Sequence, residues 1–315
     1  MKSIVTALVA LVALCGAAVA QVATPLVSVE WAVANIGKPG VVFLDVRGRL
    51  ANASKEDYLR GHIPGAIWTN YLKDGWRNQD GSGTIAQLPD VAMLEALIGD
   101  LGIGNEDHVV IVPAGGKAID VGTATRVYWT FKVLGHDAVS ILNGGMKAYT
   151  AATNETTKAP VNPIEQGEVK RDPEIFSAEP RQDMLLTKAE VTKAWSAGGV
   201  MIDNRPYAQF LGISKHGKAK RAGTIPGARN LPEDWLTENG GVLKDKAEFE
   251  KLYKLAGVPT SGSQINFCNT GHWASLGWFA SHEILGNKDA KLYDGSMVEW
   301  TADPALNVQS AIAQQ

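Results

Sequence analysis

Apolar positions along this chain alternate between two periods. Short runs rich in β-branched residues predict strands near 41–45, 108–112 and 138–142, and again near 199–203, 264–268 and 290–293. Between them, apolar residues recur at helical spacing near 90–101 and 121–134, then near 187–196, 246–256 and 273–285. Strands that alternate with helices imply parallel pairing, because a helix carries the chain back to the start of the next strand. The expected fold is α/β, a mainly parallel sheet flanked by helices, built twice. Thr187 and Glu190 are spaced as a capping box and place a helix start there.

The second half repeats the first. VVFLDVRGRL (41–50) and YLRGHIPGAIWTNYLKDGW (58–76) are answered by GVMIDNRPYAQFLG (199–212) and RAGTIPGARNLPEDW (221–235). Asp45 matches Asp203, Arg47 matches Arg205, Ile63-Pro64-Gly65-Ala66 matches Ile225-Pro226-Gly227-Ala228, and Trp76 matches Trp235. ILNGGMKAY (141–149) is answered by KLYDGSMVEW (291–300). An ordered series of this kind marks a duplicated domain, with copies expected at 25–150 and 186–303. Residues 151–185 carry Asn154, Pro160, Pro163 and Pro173 with scattered charge and little periodicity. They read as a linker that wraps one copy onto the other.

The amino end follows a different rule. MKSIVTALVALVALCGAAVA joins Lys2 to an apolar run from Ile4 to Leu14 and ends in Ala18-Val19-Ala20, a small-x-small cleavage pattern. Residues 1–20 are therefore expected to be a signal peptide, and the mature protein to be periplasmic. The apolar run falls short of the ~20 residues that span a bilayer, and no other segment is a candidate, so no membrane partner is expected. Cleavage removes Cys15 and leaves Cys268 as the single cysteine, so an internal disulfide is excluded. The composition, 45% hydrophobic and 20% charged over 315 residues, is that of a globular protein with room for two cores. A net charge of -3 shows no basic bias, so nucleic acid is not an expected partner.

Cys268 ends the apolar run QINF (264–267), and the loop NTGH leads from it into the helical pattern WASLGWFASHEILG (273–286). The thiol is thus expected at the carboxyl end of a parallel strand, where α/β sheets bind ligands. Backbone N–H groups in such a turn, with the helix macrodipole, favour an anionic sulfur. Gly271 allows the left-handed curvature that the cradle needs. A free cysteine also packs well as a small hydrophobe, so position alone leaves a nucleophile and a core residue both open.

The pair of patterns LDVR…GHIPGA and IDNR…GTIPGA, with one cysteine at a strand-to-helix loop in the second copy, resembles the tandem-domain rhodanese family of sulfurtransferases, exported bacterial type. The resemblance covers roughly residues 25–303 and implies two rhodanese-like α/β domains, of which only the second is catalytic. In the first copy, VVIVPAGGKAID (109–120) has Pro113 where the thiol would be, which implies a structural role for that copy. The resemblance further implies that Cys268 attacks the outer sulfur of a donor such as thiosulfate and holds that sulfur as a persulfide. An acceptor (cyanide, a small thiol or a protein thiol) then removes it, in two half-reactions with ping-pong kinetics. Substrate contacts are expected from Asn269, Thr270, Gly271, His272 and Trp273, with Arg205 near the loop. No metal or organic cofactor is required.

This chain departs from the family at the loop. Thiosulfate-using members have Cys-Arg-Lys-Gly-Val-Thr, whereas this chain has Cys268-Asn269-Thr270-Gly271-His272-Trp273. Both cations are gone, a further family arginine aligns with Gln209, and the mercaptopyruvate-type loop Cys-Gly-Ser-Gly is not matched either. His272 can act as an imidazolium or proton shuttle, or can simply orient the loop by a hydrogen bond. Trp273 can wall a pocket or pack, and Arg205 can add positive potential or hold a structural ion pair. The run SKHGKAKRAG (214–223) gathers Lys215, His216, Lys218, Lys220 and Arg221. It is either a solvated loop or the source of the missing attraction.

Two other functional classes compete. A phosphatase with the C-x5-R loop needs an arginine six positions after the cysteine, and Ala274 stands there. A non-turnover persulfide carrier serving a partner protein stays open because of the missing cations. The remaining histidines lack metal-ligand spacing, and AGGK (114–117) is not a phosphate loop.

Overall fold

The computed structural model describes residues 23–312, so the expected leader lies outside the described residues. The first copy carries β1 (Leu26–Val27), α1 (Val29–Asn35), β2 (Val41–Asp45), α2 (Lys55–Arg60) and β3 (Ile67–Trp68). It continues with α3 (Val91–Asp100), β4 (His108–Val112), α4 (Ala118–Val133), β5 (Val139–Leu142) and α5 (Gly145–Tyr149). Its sheet is parallel throughout, in the order β1-β5-β4-β2-β3. The second copy carries α6 (Lys188–Ser196), β6 (Val200–Asp203), α7 (Tyr207–Phe210) and β7 (Arg229–Asn230). A small antiparallel pair follows, β8 (Thr237–Glu238) with β9 (Val242–Leu243). Then come α8 (Lys246–Leu255), β10 (Gln264–Phe267), α9 (His272–Phe279), β11 (Ala290–Leu292) and α10 (Ser296–Ala302). Its sheet, also parallel, has the order β11-β10-β6-β7, which reproduces β5-β4-β2-β3. A single parallel bridge from Leu185 to Leu292 stands where β1 stands in the first copy.

The central strands are buried on both faces, which explains their unbroken apolar runs. On the outer faces, small separate cores form around Val27, Phe43 and Tyr149 in one copy and Val191, Phe267 and Trp300 in the other. On the inner faces the copies share one core, in which Trp129 and Phe131 join Leu276, Trp278 and Phe279. The helices α4 and α9 pack against each other at the centre of this shared core and are buried almost all round. Gly122 lets them approach, since a Cβ there would stand 2.7 Å from the His272 ring nitrogen Nε2. Thr125 and Ser275 hydroxyls meet across the contact at 2.9 Å.

The repeated Asp-x-Arg motif has one geometry in both copies. Arg47 forks onto Asp45 and donates to the Gly61 carbonyl at 2.8 Å; Arg205 forks onto Asp203 and donates to the Gly223 carbonyl at 2.8 Å. Each arginine thereby ties the end of a strand to the segment before the Ile-Pro-Gly-Ala turn. The tryptophan match does not share this equivalence: Trp76 is 1% exposed and Trp235 is 38% exposed. Segment 151–185 folds back along the first copy, where Gly167, Glu174 and Glu179 donate backbone bonds to Leu59, Gly99 and Leu134 and Phe176 is buried. The helix expected over 273–285 is α over its first half and a π turn over Ala280–Ile284.

Candidate active site

Cys268 follows the last residue of β10, is free, and is 1% exposed at the floor of a pocket of about 230 Å³. Its carbonyl accepts from Met297 N–H at 3.0 Å, and the Asn269 carbonyl accepts from Val298 N–H at 3.1 Å. The start of α10 therefore fixes the loop from behind. Ser296 completes the support: its hydroxyl accepts from the N–H groups of Cys268 (3.0 Å) and Gly271 (3.3 Å) and donates to the Tyr293 carbonyl at 2.7 Å. Ser296 has φ 48°, left-handed backbone that a non-glycine residue rarely adopts. Holding that conformation costs on the order of 1 kcal/mol, offset here by three hydrogen bonds.

The expected cradle of inward N–H groups is thus only partly available for a ligand. Two donors are bound by Ser296. The N–H groups of Asn269, Thr270, His272 and Trp273 have no partner among the described residues. These four, with the amino end of α9 behind them, are what the loop offers an anion. Gly271 has φ 73°, as expected, and a Cβ there would also run into Arg126 Nη1 and Asp294 Oδ1. Those two groups form a bidentate pair under the loop, with Arg126 fully buried and Asp294 nearly so, joining α4 of the first copy to the second copy at 2.5 and 2.8 Å. Asp294 also accepts from Leu88 N–H at 2.7 Å, so the carboxylate pins first-copy backbone as well.

His272 is an orienting residue. Its Nε2 lies 2.7 Å from the Ile119 carbonyl, which can only accept, so that nitrogen carries the proton. Nδ1 is then free to accept from the Tyr71 hydroxyl at 3.1 Å. Burial, followed by the nearby Arg77, pushes its pKa down to about 3. The imidazolium and proton-shuttle readings of His272 therefore fail, because the ring is buried and both nitrogens are engaged across the interface.

The positive charge missing from the loop is supplied by the first copy. Arg77 Nη2 donates to the Thr270 carbonyl at 2.8 Å and hydroxyl at 2.9 Å, and Nε donates to the Ala86 carbonyl at 3.2 Å. Its guanidinium stands over the Tyr71 ring, 5.4 Å from the centroid. Nη1 has no partner among the described residues, and Arg77 lines the pocket with Leu50, Leu72 and Ile119 of its own copy. Nothing in the sequence around Arg77 marks it, because its role depends on how the copies pack. Tyr71, Arg126 and Asp294 escape a sequence reading for the same reason; Ser296 escapes it because it meets the loop only through the fold of its own copy, although the repeat does match the Asp294-Gly-Ser segment.

Of the expected contact residues, Asn269, Thr270, His272 and Trp273 line the pocket. Asn269 Nδ2 donates to Gln209 Oε1 at 2.9 Å, so a neutral amide pair occupies the place where the family has cations. Asn269 Oδ1 and Trp273 Nε1 are buried without partners among the described residues. Arg205 is a correction: its guanidinium is consumed by Asp203 and Gly223, and it does not line the pocket. The basic run divides likewise. Arg221 pins the carboxyl end through the Leu306 and Asp303 carbonyls at 2.7 Å each, and Lys215 Nζ binds the Ala219 carbonyl at 2.8 Å. His216 alone reaches the pocket, and burial beside Arg77 lowers its pKa.

The matching loop of the first copy repeats the frame. Met146 N–H donates to the Pro113 carbonyl and Lys147 N–H to the Ala114 carbonyl, both at 2.9 Å, as Met297 and Val298 do for Cys268 and Asn269. There the inward N–H groups of Gly115, Gly116 and Lys117 all donate to the Asp120 carboxylate at 3.2, 2.7 and 3.1 Å. The first-copy cradle holds a carboxyl group that belongs to the chain itself; burial pushes its pKa up, and the three N–H donors oppose that shift.

A lone thiol at a strand-to-helix turn, on a twice-built parallel α/β frame, defines the rhodanese type of sulfurtransferase. The rhodanese-like domain model matches the chain at residues 28–152 and 187–303, and the chain belongs to that family. A protein of Saccharopolyspora erythraea, provisionally named a thiosulfate sulfurtransferase, is 32% identical over 289 residues, covering 87% of this chain and 92% of its own. A thiosulfate sulfurtransferase of Corynebacterium glutamicum is 28% identical over 284 residues, covering 87% of each. Among solved structures, the 3-mercaptopyruvate sulfotransferase SseA of Escherichia coli has TM-score 0.71 at 24% identity, covering 87% of this chain and 98% of that one; this likeness is one of fold.

Proposed function

We propose that the protein is a sulfurtransferase that moves sulfane sulfur from a donor such as thiosulfate to cyanide or a thiol through a persulfide on Cys268. One observation carries the reading. The only cysteine of the described residues sits at the floor of a pocket, inside a turn whose free N–H groups and neighbouring Arg77 complement an anion. In the first half-reaction the Cys268 thiolate attacks the donor's outer sulfur, a sulfur–sulfur bond forms, and sulfite leaves with the electron pair of the bond that breaks. In the second, the acceptor takes the outer sulfur and returns the thiolate. The free N–H groups of the loop stabilise the charge that moves from one sulfur to the next.

Turnover of thiosulfate and cyanide by the mature protein, with loss of more than about a thousandfold in Cys268→Ser, tests this reading. A persulfide seen by intact mass with no turnover would leave a carrier that serves a partner protein. That second reading is favoured by the Asn269–Gln209 amide pair, which replaces cations in the loop. The proposal also places the protein in the periplasm, on the strength of the amino-terminal pattern. A mature chain beginning at Gln21 in the periplasmic fraction is the expected finding.

A further inference from the structure

The opening above Cys268 continues past the thiol. A second depression, of about 440 Å³, adjoins it on the first copy and shares Leu72 with it. Trp68 and Leu72 give that depression apolar surface, and Arg49, Lys55, Glu56 and Lys73 line it with charge. Lys55 is paired with Glu168, and Glu56 is the one carboxylate in the lining. Arg49 and Lys73 are exposed, and their side chains have no hydrogen-bond or ion-pair partner among the described residues. Across the thiol pocket, His216 stands between Lys215 and Lys218, both exposed. Lys215 Nζ meets only the neutral Ala219 carbonyl, and Lys218 Nζ has no partner among the described residues. In a chain of net charge -3, uncompensated cations therefore stand on both sides of one thiol and come from both copies.

Small molecules make no use of this surface. Arg49, Lys73, Lys215 and Lys218 do not line the thiol pocket, so an ion seated at Cys268 touches none of them. An extended polypeptide that enters the pocket does reach them. Apolar surface at the centre with charge at the rim is the make-up of a transient protein interface, and the rim charges select the partner and speed its arrival.

Resting on the sulfur-transfer reading above, we propose that this groove docks a segment of an acidic protein whose cysteine thiol is the sulfur acceptor. The acceptor cysteine enters the pocket over Cys268. Its acidic neighbours face Arg49 and Lys73 on one side and Lys215 and Lys218 on the other, and the segment covers Trp68 and Leu72. The acceptor thiol loses its proton to solvent, and its thiolate attacks the outer sulfur of the Cys268 persulfide. A sulfur–sulfur bond forms on the acceptor, the bond to Cys268 breaks, and its electron pair stays on Cys268 as the thiolate. One persulfide and one thiolate give one thiolate and one persulfide, so no external oxidant or reductant is needed. The first copy, which has no thiol of its own, supplies half of the docking surface.

The test measures kcat/KM of the full mature chain with thiosulfate as donor. The acceptors are cyanide and three cysteine peptides of equal length, in which acidic, uncharged or basic residues flank the thiol. Rates are corrected for the thiolate fraction of each peptide, since flanking charge alters it. The acidic peptide should exceed the uncharged one by about tenfold at low salt, and added salt should shrink that gap. Arg49→Glu combined with Lys73→Glu should remove most of the gap and leave turnover with cyanide within about twofold. Both side chains are exposed and unpaired, so the variant is expected to fold, and the milder pair Arg49→Gln and Lys73→Gln should remove part of the gap. Peptides ranked alike overturn the proposal, and so does an acidic preference that survives the double charge reversal. A double variant that slows cyanide turnover as much as the acidic peptide also overturns it, because the cations then steer small anions. Intact mass separates these failures from a deeper one. If Cys268 gains a sulfur atom from thiosulfate and the peptides are ranked alike, only the docking surface is wrong. If Cys268 gains no sulfur, the sulfurtransferase reading falls and this proposal with it.

Discussion

Two loops of this molecule share a frame and differ in what they do with it. Each follows a central parallel strand, each is held from behind by two N–H groups at the start of the domain's last helix, and each leads into one of the two helices that pack together between the sheets. In the first copy the turn is filled by the Asp120 carboxylate and the thiol position is Pro113. In the second the thiol is Cys268, and four N–H groups around it have no partner among the described residues. A turn that binds its own carboxylate in one copy is direct physical support for its capacity to hold an anion in the other.

The residue behind each loop follows the same division. Gly145 has φ 56° in the first copy, and its counterpart Ser296 has φ 48° in the second. Glycine adopts that conformation at no steric cost, whereas serine does not. The strain at Ser296 is tolerated because its hydroxyl binds the N–H groups of Cys268 and Gly271. In the first copy no hydroxyl is required, since Pro113 has no N–H and the Gly116 N–H is bound by Asp120.

Moving the thiol between the copies should have the largest consequence. Pro113→Cys in the first copy should gain no persulfide and no turnover, in a background of Cys268→Ser where activity has fallen by more than about a thousandfold. Activity restored by that second thiol would show the copies to be interchangeable. Asp120→Ala should lower unfolding free energy by about 1–2 kcal/mol, because three N–H groups lose their acceptor, of which only that of Gly115 is buried. Denaturant melts of that variant against Asp120→Asn measure it, with the asparagine expected to recover part of the loss. Arg77→Ala should raise the thiosulfate Michaelis constant about tenfold, and high salt should shrink the difference between variant and parent. Arg77→Lys should restore part of the affinity and none of the fork on Thr270.

A last effect concerns pH and is spread over several pH units. His272 has a pKa of about 3 in the folded chain against an ordinary value of 6.5, so between these values the unfolded state binds the extra proton. Stability should therefore fall as pH drops from about 6.5 toward 3, with a slope of up to ~1.4 kcal/mol per pH unit from this residue. His272→Gln should flatten that slope in melts taken across the window. The activity profile between pH 5 and 8 should show no limb assignable to His272, and a limb lost in the glutamine variant would overturn its assignment as an orienting group.

Much of the frame is legible along the chain. The central strands are buried on both faces and the long helices are rich in apolar residues, so both appear in the sequence within about three residues of their observed ends. The duplication shows because each copy keeps the same local requirements: an Asp-x-Arg fork onto the next turn, and an Ile-Pro-Gly-Ala corner. Trp76 and Trp235 mark the limit, since similar local patterns place one ring in a core and the other at the surface. Short edge strands such as β3 and β7 carry too few residues to show a period, and only pairing with a neighbour defines them.

The repeated α/β frame, the single thiol and its place at a strand-to-helix turn all follow from local periodicity and turn chemistry, and the linear chain is enough to fix them. Packing settles what surrounds that thiol. Arg77 and Tyr71 reach the loop from 193 and 201 residues away in the chain, and Arg126 stands beneath it, all brought there by the packing of α4 on α9. That same packing buries His272 and fixes it as neutral, while Asp203 and Gly223 turn Arg205 into a structural clamp. Charge and burial at a site depend on what packs against it from every side, and a linear pattern records only the neighbours along the chain.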